Sequence, residues 1–243
     1  MDADPGTLEL DASYRTLLSE NLPRLRERMA AAAGAAGRSP EEIRLVAVTK
    51  GHPLAAVEAA LEAGRTDLGE NRVGELEGKA AAIGPDRVTW HMIGHIQRRK
   101  APRAMEAADL IHSLDSPRLA RRFSRVATEV EREVEALVQV NTSGEESKGG
   151  FEGPEVVERI LEAATLPGLR VRGLMTMAPF VEDEEVLRGT FRRLREISEE
   201  LRSRSDAVGA ELSMGMTNDL EIAIREGSTM IRIGTALFGE RSE

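Results

Sequence analysis

The sequence has no cysteine, few aromatic residues and no long apolar run. Without Cys, the chain of 243 residues forms no disulfide and has neither a thiolate nucleophile nor a Cys ligand for zinc. Phe, Trp and Tyr make up 3% of it, too few for the stacking platforms that bind single-stranded nucleic acid. No apolar run approaches the roughly 18 residues of a membrane span, and the acidic start MDADP is no signal peptide. We therefore expect a cytoplasmic protein without nucleic-acid or membrane partners.

Acidic residues outnumber basic ones, with 42 Asp and Glu against 33 Lys and Arg and a net charge of −9. Such a surface lacks the positive charge that neutralises nucleic-acid phosphates, which supports the same exclusion. The hydrophobic share of 41% is enough for a full core, and a chain of this size buries roughly 70% or more of its unfolded surface. Length alone allows one large domain or two small ones.

Short β-rich runs alternate with amphipathic helical stretches along most of the chain. After a loose N-terminal tail over 1–12, apolar residues spaced at three and four predict a helix from Ser13 to about Ala36. Eight strands are then predicted, each followed by a helical stretch, over 44–49, 66–69, 88–93, 109–114, 135–141, 171–177, 211–214 and 229–233. This alternation predicts a single-domain (β/α)8 TIM barrel over 13–243. An open doubly wound sheet is the rival, but it usually has fewer strands, and the first strand–helix turn lacks a G-x-G-x-x-G fingerprint.

Working groups in such a barrel lie at the carboxyl ends of the strands. The first strand ends in Lys50, whose amine, if partly desolvated, can form an imine; the plainer alternative is a surface lysine on a turn. Strands 7 and 8 end in small and hydroxyl residues around Thr217 and Thr235, where helix N-termini predict either an anion site or ordinary capping. Arg232 lies between these ends. Pyridoxal 5′-phosphate (PLP), an aldehyde with a phosphate, fits this arrangement with Lys50 as its Schiff-base lysine, while sugar phosphates and aldolase-type imines stay open.

Other polar groups near strand ends carry weaker signals. His91 and His95 have the spacing of metal ligands on a helix, but their segment is a strand turning into a loop, so we expect no metal. Glu70 and Asn71 are equally compatible with helix caps and with pocket groups. The Gly-, Ser- and charge-rich loop over 143–150 is either a mobile surface loop or a lid over the barrel mouth.

Taken together, these segments closely resemble the YggS/PROSC family, the pyridoxal phosphate homeostasis proteins. The resemblance covers residues 13 to 241 and implies a barrel of PLP fold type III, like the N-terminal domain of alanine racemase, that takes part in intracellular PLP (vitamin B6) homeostasis. It is carried, in the family's order, by LVAVTK (45–50), GEN (69–71), WHMIGHIQRRK (90–100), IHSLDS (111–116), VNTSGEESKGG (140–150), GLMTMAP (173–179), LSMGMTND (212–219) and RIGTALFGER (232–241).

The resemblance implies a cofactor site residue by residue. Lys50 matches the lysine that carries the imine, and Arg232 matches the arginine that faces the pyridine nitrogen. Asn71 and His95 match positions that line the pocket. The phosphate contacts match Ser213 and Thr217, the backbone of Met214 and Gly215, and Gly234 and Thr235.

Two positions depart from the family pattern. The family often has AVSKTKP where this chain has AVTKGHP, so His52 replaces a second lysine. It often has GENYVQE where this chain has GENRVGE, so Arg72 replaces an aromatic residue near the pocket. Neither change touches the imine lysine or the phosphate groups. Both bear on ligand affinity and on any exchange through a second lysine.

Efficient catalysis is not expected. Racemisation needs a base on each face of the cofactor, which alanine racemases complete with a tyrosine and a second, β-rich domain. This sequence ends about ten residues after its last strand, and its only tyrosine, Tyr14, is far from the mouth in sequence. An arginine at the pyridine nitrogen also disfavours protonation of that nitrogen. We therefore predict a monomeric, non-catalytic carrier that supplies PLP-dependent apoenzymes. A fold-type III amino-acid racemase and an interaction module are the alternatives.

Overall fold

Eight parallel strands close into a barrel in which each strand pairs with the next and the eighth pairs with the first. A computed structural model describes residues 5–145 and 148–240 of the chain, with side chains from residue 13 onward. Helices surround the barrel and connect its consecutive strands. The prediction of a (β/α)8 barrel is confirmed.

Every predicted strand is present, with ends that differ from the predicted ones by at most three residues. The strands are β1 Arg44–Val48, β2 Asp67–Glu70, β3 Thr89–Met92, β4 Leu110–Leu114, β5 Val134–Gln139, β6 Leu169–Met175, β7 Val208–Ser213 and β8 Met230–Ile233. The helices are α1 Pro5–Ala35, α2 Leu54–Glu62, α3 Val73–Ile83, α4 Ala101–Ala107, α5 Pro117–Glu129, α6 Val156–Ala164, α7 Glu184–Arg204, α8 Leu220–Arg225 and α9 Thr235–Phe238, with short 3-10 turns at Pro40–Glu42 and Arg98–Lys100.

The first helix is longer than the sequence predicts. It begins at Pro5 rather than at Ser13, so the loose tail predicted over 1–12 is wrong for 5–12, while residues 1–4 lie outside the described part. Proline is well tolerated in the first turn of a helix, and the Leu, Glu and Ala residues that follow are strong helix formers. The helix ends before Gly37, which adopts a φ of 67°.

Side chains at the starts of two helices satisfy backbone N–H groups that have no partner within the helix. The Ser116 hydroxyl accepts from the N–H of Leu119 at 3.4 Å, and Pro117 occupies the first turn of α5. The Asp183 carboxylate accepts from the N–H groups of Glu185 and Val186 at the start of α7. Of the helices in the described ranges, none is both long and apolar enough to cross a bilayer.

The interior of the barrel is half apolar and half polar. Its apolar part is a small cluster separate from the large core between strands and helices, and consists of Val46, Leu110, Leu137, Met175 and Met230. Four other buried side chains there are polar, namely His91, His112, Ser213 and Arg232. His112 on β4 reaches Ser213 on β7, which is not a neighbouring strand, so this contact crosses the barrel lumen. The polar half connects directly to the functional site.

Packing of the outer core predicts the effect of a truncation on α7. Phe191 is fully buried, so Phe191→Ala should lower the free energy of unfolding by about 3–5 kcal/mol, because it loses apolar burial and leaves a cavity. Arg193→Ala, at an exposed position of the same helix, should change it by less than about 0.5 kcal/mol. Urea unfolding monitored by circular dichroism measures both; an equal midpoint for the two variants contradicts the packing described.

Candidate functional site

A cavity of about 1080 Å³ opens at the carboxyl ends of the strands. Lys50 after β1, Asn71 after β2 and Met177 after β6 contribute to its wall. So do Thr217 after β7 and Thr235 after β8. This is the end of a (β/α)8 barrel at which binding and catalytic groups are placed.

Six of the ten predicted site residues line this cavity, and four do not. The six are Lys50, Asn71, Thr217, Arg232, Gly234 and Thr235. The four that lie outside its lining are His95, Ser213, Met214 and Gly215. The predicted amine, guanidinium and hydroxyl groups are therefore brought to one space from three different strand ends.

Lys50 is half-buried on a turn that a charged cluster holds from beneath. The ammonium of Lys79 donates to the Thr49 carbonyl at 2.8 Å and to Glu70 at 2.7 Å, and Thr49 also donates its hydroxyl to Glu70 at 2.6 Å. On the other side of Lys50, the N–H of Gly51 donates to Glu75 at 2.6 Å, and the same carboxylate accepts from Lys79 at 2.9 Å. Both backbone neighbours of Lys50 are thus fixed.

The two carboxyl groups of this cluster respond to burial differently. Burial raises the pKa of Glu70 above its usual range, and the hydrogen bonds from Lys79 and Thr49 offset only part of that rise. Burial also acts to raise the pKa of Glu75, but the hydrogen bonds from Lys79 and Gly51 outweigh it, so this pKa is lowered. The charge of Lys79 is what keeps two acidic groups close together under the Lys50 turn.

The loop after β7 is held in shape by close packing and by hydrogen bonds to its backbone. Gly215 has a φ of +100°, and a Cβ there would lie 2.6 Å from the Cβ of Ala223, so only glycine fits. The N–H of Met216 donates to the Asp219 carboxylate at 2.5 Å, and burial raises the pKa of Asp219. Arg28 of α1 donates to the Thr217 carbonyl at 2.9 Å. Thr217 is therefore presented to the cavity on a defined turn.

The loop after β8 places Gly234 and Thr235 beside the same space. Thr235 begins α9, and the first N–H groups of a helix have no acceptor within it. A Cβ on Gly234 would lie 3.2 Å from the Val48 carbonyl, so β1 and this loop pack closely. Backbone donors and two threonine hydroxyls from neighbouring loops thus surround one corner of the cavity, an arrangement suited to an anion.

Arg232 is a nearly fully buried cation, 5% exposed, at the floor of the cavity. Its guanidinium donates to the Ser213 carbonyl at 2.8 Å, to the Ser213 hydroxyl at 2.6 Å and to the Thr176 carbonyl at 3.0 Å. Burial lowers the pKa of Arg232 to about 10, so it remains a cation at neutral pH. The pairing of β1 with β8 sets Arg232 level with Val46, deeper in the barrel than Lys50.

The structure corrects the placement of Ser213, Met214 and His95. Ser213 is completely buried, and its hydroxyl lies between Arg232 and His112 rather than at the anion corner. The side chain of Met214 is buried in the outer core, and its backbone N–H donates to the Met230 carbonyl at 3.1 Å rather than facing the anion corner. The side chain of His95 is 72% exposed and contacts Asp115 at 2.8 Å. Periodicity could not show these differences, because each depends on which way a residue near a strand end turns.

Tyr14 is also closer to the mouth than its place in the sequence indicates. Its hydroxyl lies 3.1 Å from Nδ1 of His52, which lines the cavity two residues after Lys50. Burial raises the pKa of Tyr14, so its hydroxyl is protonated at neutral pH. Tyr14 is far from the mouth in sequence, but α1 packs beside α2 and brings this face of the helix against the β1–α2 turn.

Sequence reasoning also missed a second cavity lysine and two buried histidine contacts. Lys148 lines the cavity, donates to the Ala178 carbonyl at 2.7 Å and pairs with Glu145. The 143–150 loop was expected to be either a mobile surface loop or a lid, and its residues 146–147 lie outside the described part. His91 and His112 contact each other at 2.9 Å inside the barrel. The sequence pattern that could have indicated this contact is their position at inward-facing residues of the neighbouring strands β3 and β4.

Within the described ranges, no group of three or more acidic or histidine side chains is arranged to hold a metal ion.

The family described as alanine racemase, N-terminal domain, matches residues 21–242. The chain belongs to this family. Among curated members, the pyridoxal phosphate homeostasis proteins of Aquifex aeolicus and Pseudomonas aeruginosa are 40% and 41% identical to it, over 91% and 92% of this chain and 97% and 96% of theirs. The resemblance to the pyridoxal phosphate homeostasis proteins is confirmed.

Solved structures of the alanine racemase N-terminal domain family agree in fold. PipY of Synechococcus elongatus, solved with PLP bound, is 36% identical with a TM-score of 0.78, covering 88% of this chain and 99% of PipY. An alanine racemase of Clostridium difficile is 15% identical with a TM-score of 0.76, and the match covers 93% of this chain but 57% of the racemase. The distant racemase shows that the barrel is of fold type III, as predicted.

The cluster under Lys50 predicts a specific loss of stability in this family member. Lys79→Met should lower the free energy of unfolding by about 3–5 kcal/mol, because it leaves a buried carboxylate without its cation. The deficit should grow as the pH rises above the unfolded-state pKa of a glutamate, about 4.3, because the folded variant holds Glu70 protonated and the unfolded chain does not. Chemical unfolding at several pH values, with Lys100→Met as the control, measures it. A pH-independent deficit contradicts the charge argument.

Proposed function

We propose that this protein binds pyridoxal 5′-phosphate reversibly through Lys50 and takes part in intracellular PLP homeostasis, without efficient catalysis of its own. The observation that carries the proposal is that one cavity is lined by a turn-borne lysine, a buried arginine and the threonines of two neighbouring loops. The names of the curated relatives and the PLP-bound neighbour support the same ligand.

The donor set fits three polar parts of this ligand, its aldehyde, its phosphate and its ring nitrogen. The aldehyde of PLP supplies an electrophilic carbon with which a primary amine forms a Schiff base. Lys50 offers that amine from a rigid turn. Thr217, Thr235 and the backbone N–H groups near Gly234 offer neutral donors for a phosphate. Arg232, which remains a cation, offers a donor to a ring nitrogen and cannot serve as the acid that protonates it.

Retention rather than turnover follows from the same residues. Because Arg232 donates to the pyridine nitrogen without giving up its proton, electron withdrawal by the ring stays weak. Reversible attachment would need an amine at the cavity wall, which forms the imine with loss of water, and access of water, which hydrolyses the imine and frees the aldehyde. We also propose that the protein acts in the cytoplasm as a monomer and releases PLP to apoenzymes.

A labelling experiment tests the proposed function. PLP added to the purified protein should give the visible absorbance band of a Schiff base, and borohydride reduction followed by peptide mapping should place the pyridoxyl group on Lys50. The chain has only four lysines, Lys50, Lys79, Lys100 and Lys148, so the assignment is unambiguous. Lys50→Ala should abolish the band, and Lys100→Ala, the surface control, should leave it unchanged. Labelling spread over Lys100 and Lys148 in the wild type contradicts the proposal.

An amino-acid racemase is the second candidate, favoured by the pair of Tyr14 and His52 beside Lys50. A racemase with that pair as its second base would interconvert L- and D-alanine or serine, and Tyr14→Phe would remove the activity. The carrier function predicts no turnover above that of Lys50→Ala in either variant. Chiral chromatography of amino acids incubated with PLP-loaded protein distinguishes the two functions.

A further inference from the structure

A continuous chain of hydrogen bonds crosses the barrel interior from Arg232 to the opposite end. The Arg232 guanidinium contacts the Ser213 hydroxyl at 2.6 Å, and this hydroxyl lies 2.9 Å from Nδ1 of His112. Nε2 of His112 lies 2.9 Å from Nδ1 of His91, and Nε2 of His91 lies 3.0 Å from the Asp67 carboxylate. The first four residues are nearly or fully buried, and only Asp67, at the amino end of β2, is partly exposed.

With both imidazole rings neutral, the two ends of the hydrogen-bond chain fix the direction of every bond in it. An arginine can only donate, and an ionised carboxylate can only accept. His91 therefore donates through Nε2 to Asp67 and accepts at Nδ1, so His112 donates through Nε2 and accepts at Nδ1. The Ser213 hydroxyl then accepts from Arg232 and donates to His112. Each of the four junctions then has one donor and one acceptor.

The surroundings of His112 keep it neutral, as this arrangement requires. Burial lowers the pKa of His112 well below its usual value, and the positive charges of His91 when protonated, Arg232 and Arg44 lower it further. Protonation of His112 at Nδ1 would force the Ser213 hydroxyl, which already accepts from Arg232, to turn its own hydrogen away from its acceptor on His112. His112 therefore contributes an oriented dipole, and no charge, to the chain of hydrogen bonds.

Arg232 is the point at which this chain meets the ligand cavity. Ser213 and Thr176 together occupy three of its five N–H groups. The other two make no hydrogen bond with the described part of the chain, and Arg232 lines the cavity. One edge of the guanidinium is thus held by the barrel, and the remaining N–H groups are available to a bound molecule.

We infer that Ser213, His112, His91 and Asp67 are positioning residues that orient Arg232 toward the ligand. This inference rests on the proposed function, in which Arg232 faces the pyridine nitrogen of PLP. It gives Ser213 a role other than the phosphate contact that the sequence predicts. Simple core filling does not account for the set, because apolar residues would fill the same space without the desolvation cost of four polar groups.

The tautomers provide a test that needs no ligand. The protein has four histidines, so the imidazole nitrogens can be assigned by nitrogen-15 NMR with single histidine variants. We expect the hydrogen of each of the His91 and His112 rings on Nε2, and none on Nδ1 of His112. Asp67→Leu removes the terminal acceptor and should abolish the fixed tautomer of His91. A cationic His112, or protonation of either ring at Nδ1 in the wild type, overturns the inferred chain.

Ligand binding tests the consequence for Arg232. We compare PLP with its deaza analogue, in which carbon replaces the pyridine nitrogen. Ser213→Ala and His112→Phe should weaken PLP binding about tenfold and shift its absorbance band, while leaving binding of the analogue nearly unchanged, because only PLP receives the hydrogen bond from Arg232. His112→Asn, whose carbonyl can accept near the position of Nδ1, should restore most of the PLP affinity.

Ser124→Ala is the matched control. Ser124 is a buried serine of α5 that lies away from the cavity and donates to the Pro167 carbonyl. It should leave both affinities unchanged. If His112→Phe does not fold, Ser213→Ala decides alone. Equal losses for PLP and the analogue, or wild-type affinity in Ser213→Ala, overturn the positioning role while the proposed function stands. Failure of the wild type to attach PLP at Lys50 overturns the proposed function and the inference together.

Discussion

The guanidinium of Arg232 is a cation almost without contact with water, and the barrel interior is arranged around it. Burying a charge is costly unless hydrogen bonds replace its hydration. Two backbone carbonyls and one hydroxyl provide that replacement. The hydroxyl in turn requires its own acceptor, and this requirement continues through two histidines to a carboxylate at the far end of the barrel. One buried charge thus determines the composition of half of the lumen.

The turn that bears Lys50 is stabilised in a different way from Arg232. Lys50 itself is half-buried, and the charges that matter lie beneath it, where Lys79 neutralises two carboxyl groups and fixes the backbone on both sides of the turn. Arg232 is held rigidly by its own side-chain contacts, and the turn that bears Lys50 is held through the backbone on both sides of it. A rigid turn keeps the amine at a defined place in the cavity wall.

The sequence predicts the architecture well because the barrel depends on local patterns. Buried strands such as β1 and β8 are short apolar runs between amphipathic helices, and their order alone leads to the closed sheet. Lys50, Thr217 and Thr235 could be placed because position after a strand determines which end of the barrel a residue occupies. The roles of Ser213, His112 and Tyr14 could not, because each depends on contacts between elements far apart in sequence, including one across the lumen.

The first helix connects parts of the site that are otherwise separate. Three of its side chains, seven residues apart and therefore on one face of the helix, reach three different loops. Tyr14 contacts His52 after β1, Asn21 donates to the Leu237 carbonyl after β8, and Arg28 donates to the Thr217 carbonyl after β7. Because an α-helix rises by a fixed 1.5 Å per residue, α1 fixes the distance along the rim between the turn that follows β1 and the loops that follow β7 and β8. A tilt of α1 would move the turn that follows β1 and the loop that follows β7 together. The Lys50 side and the Thr217 side of the binding site are therefore coupled through a helix that lies outside the barrel.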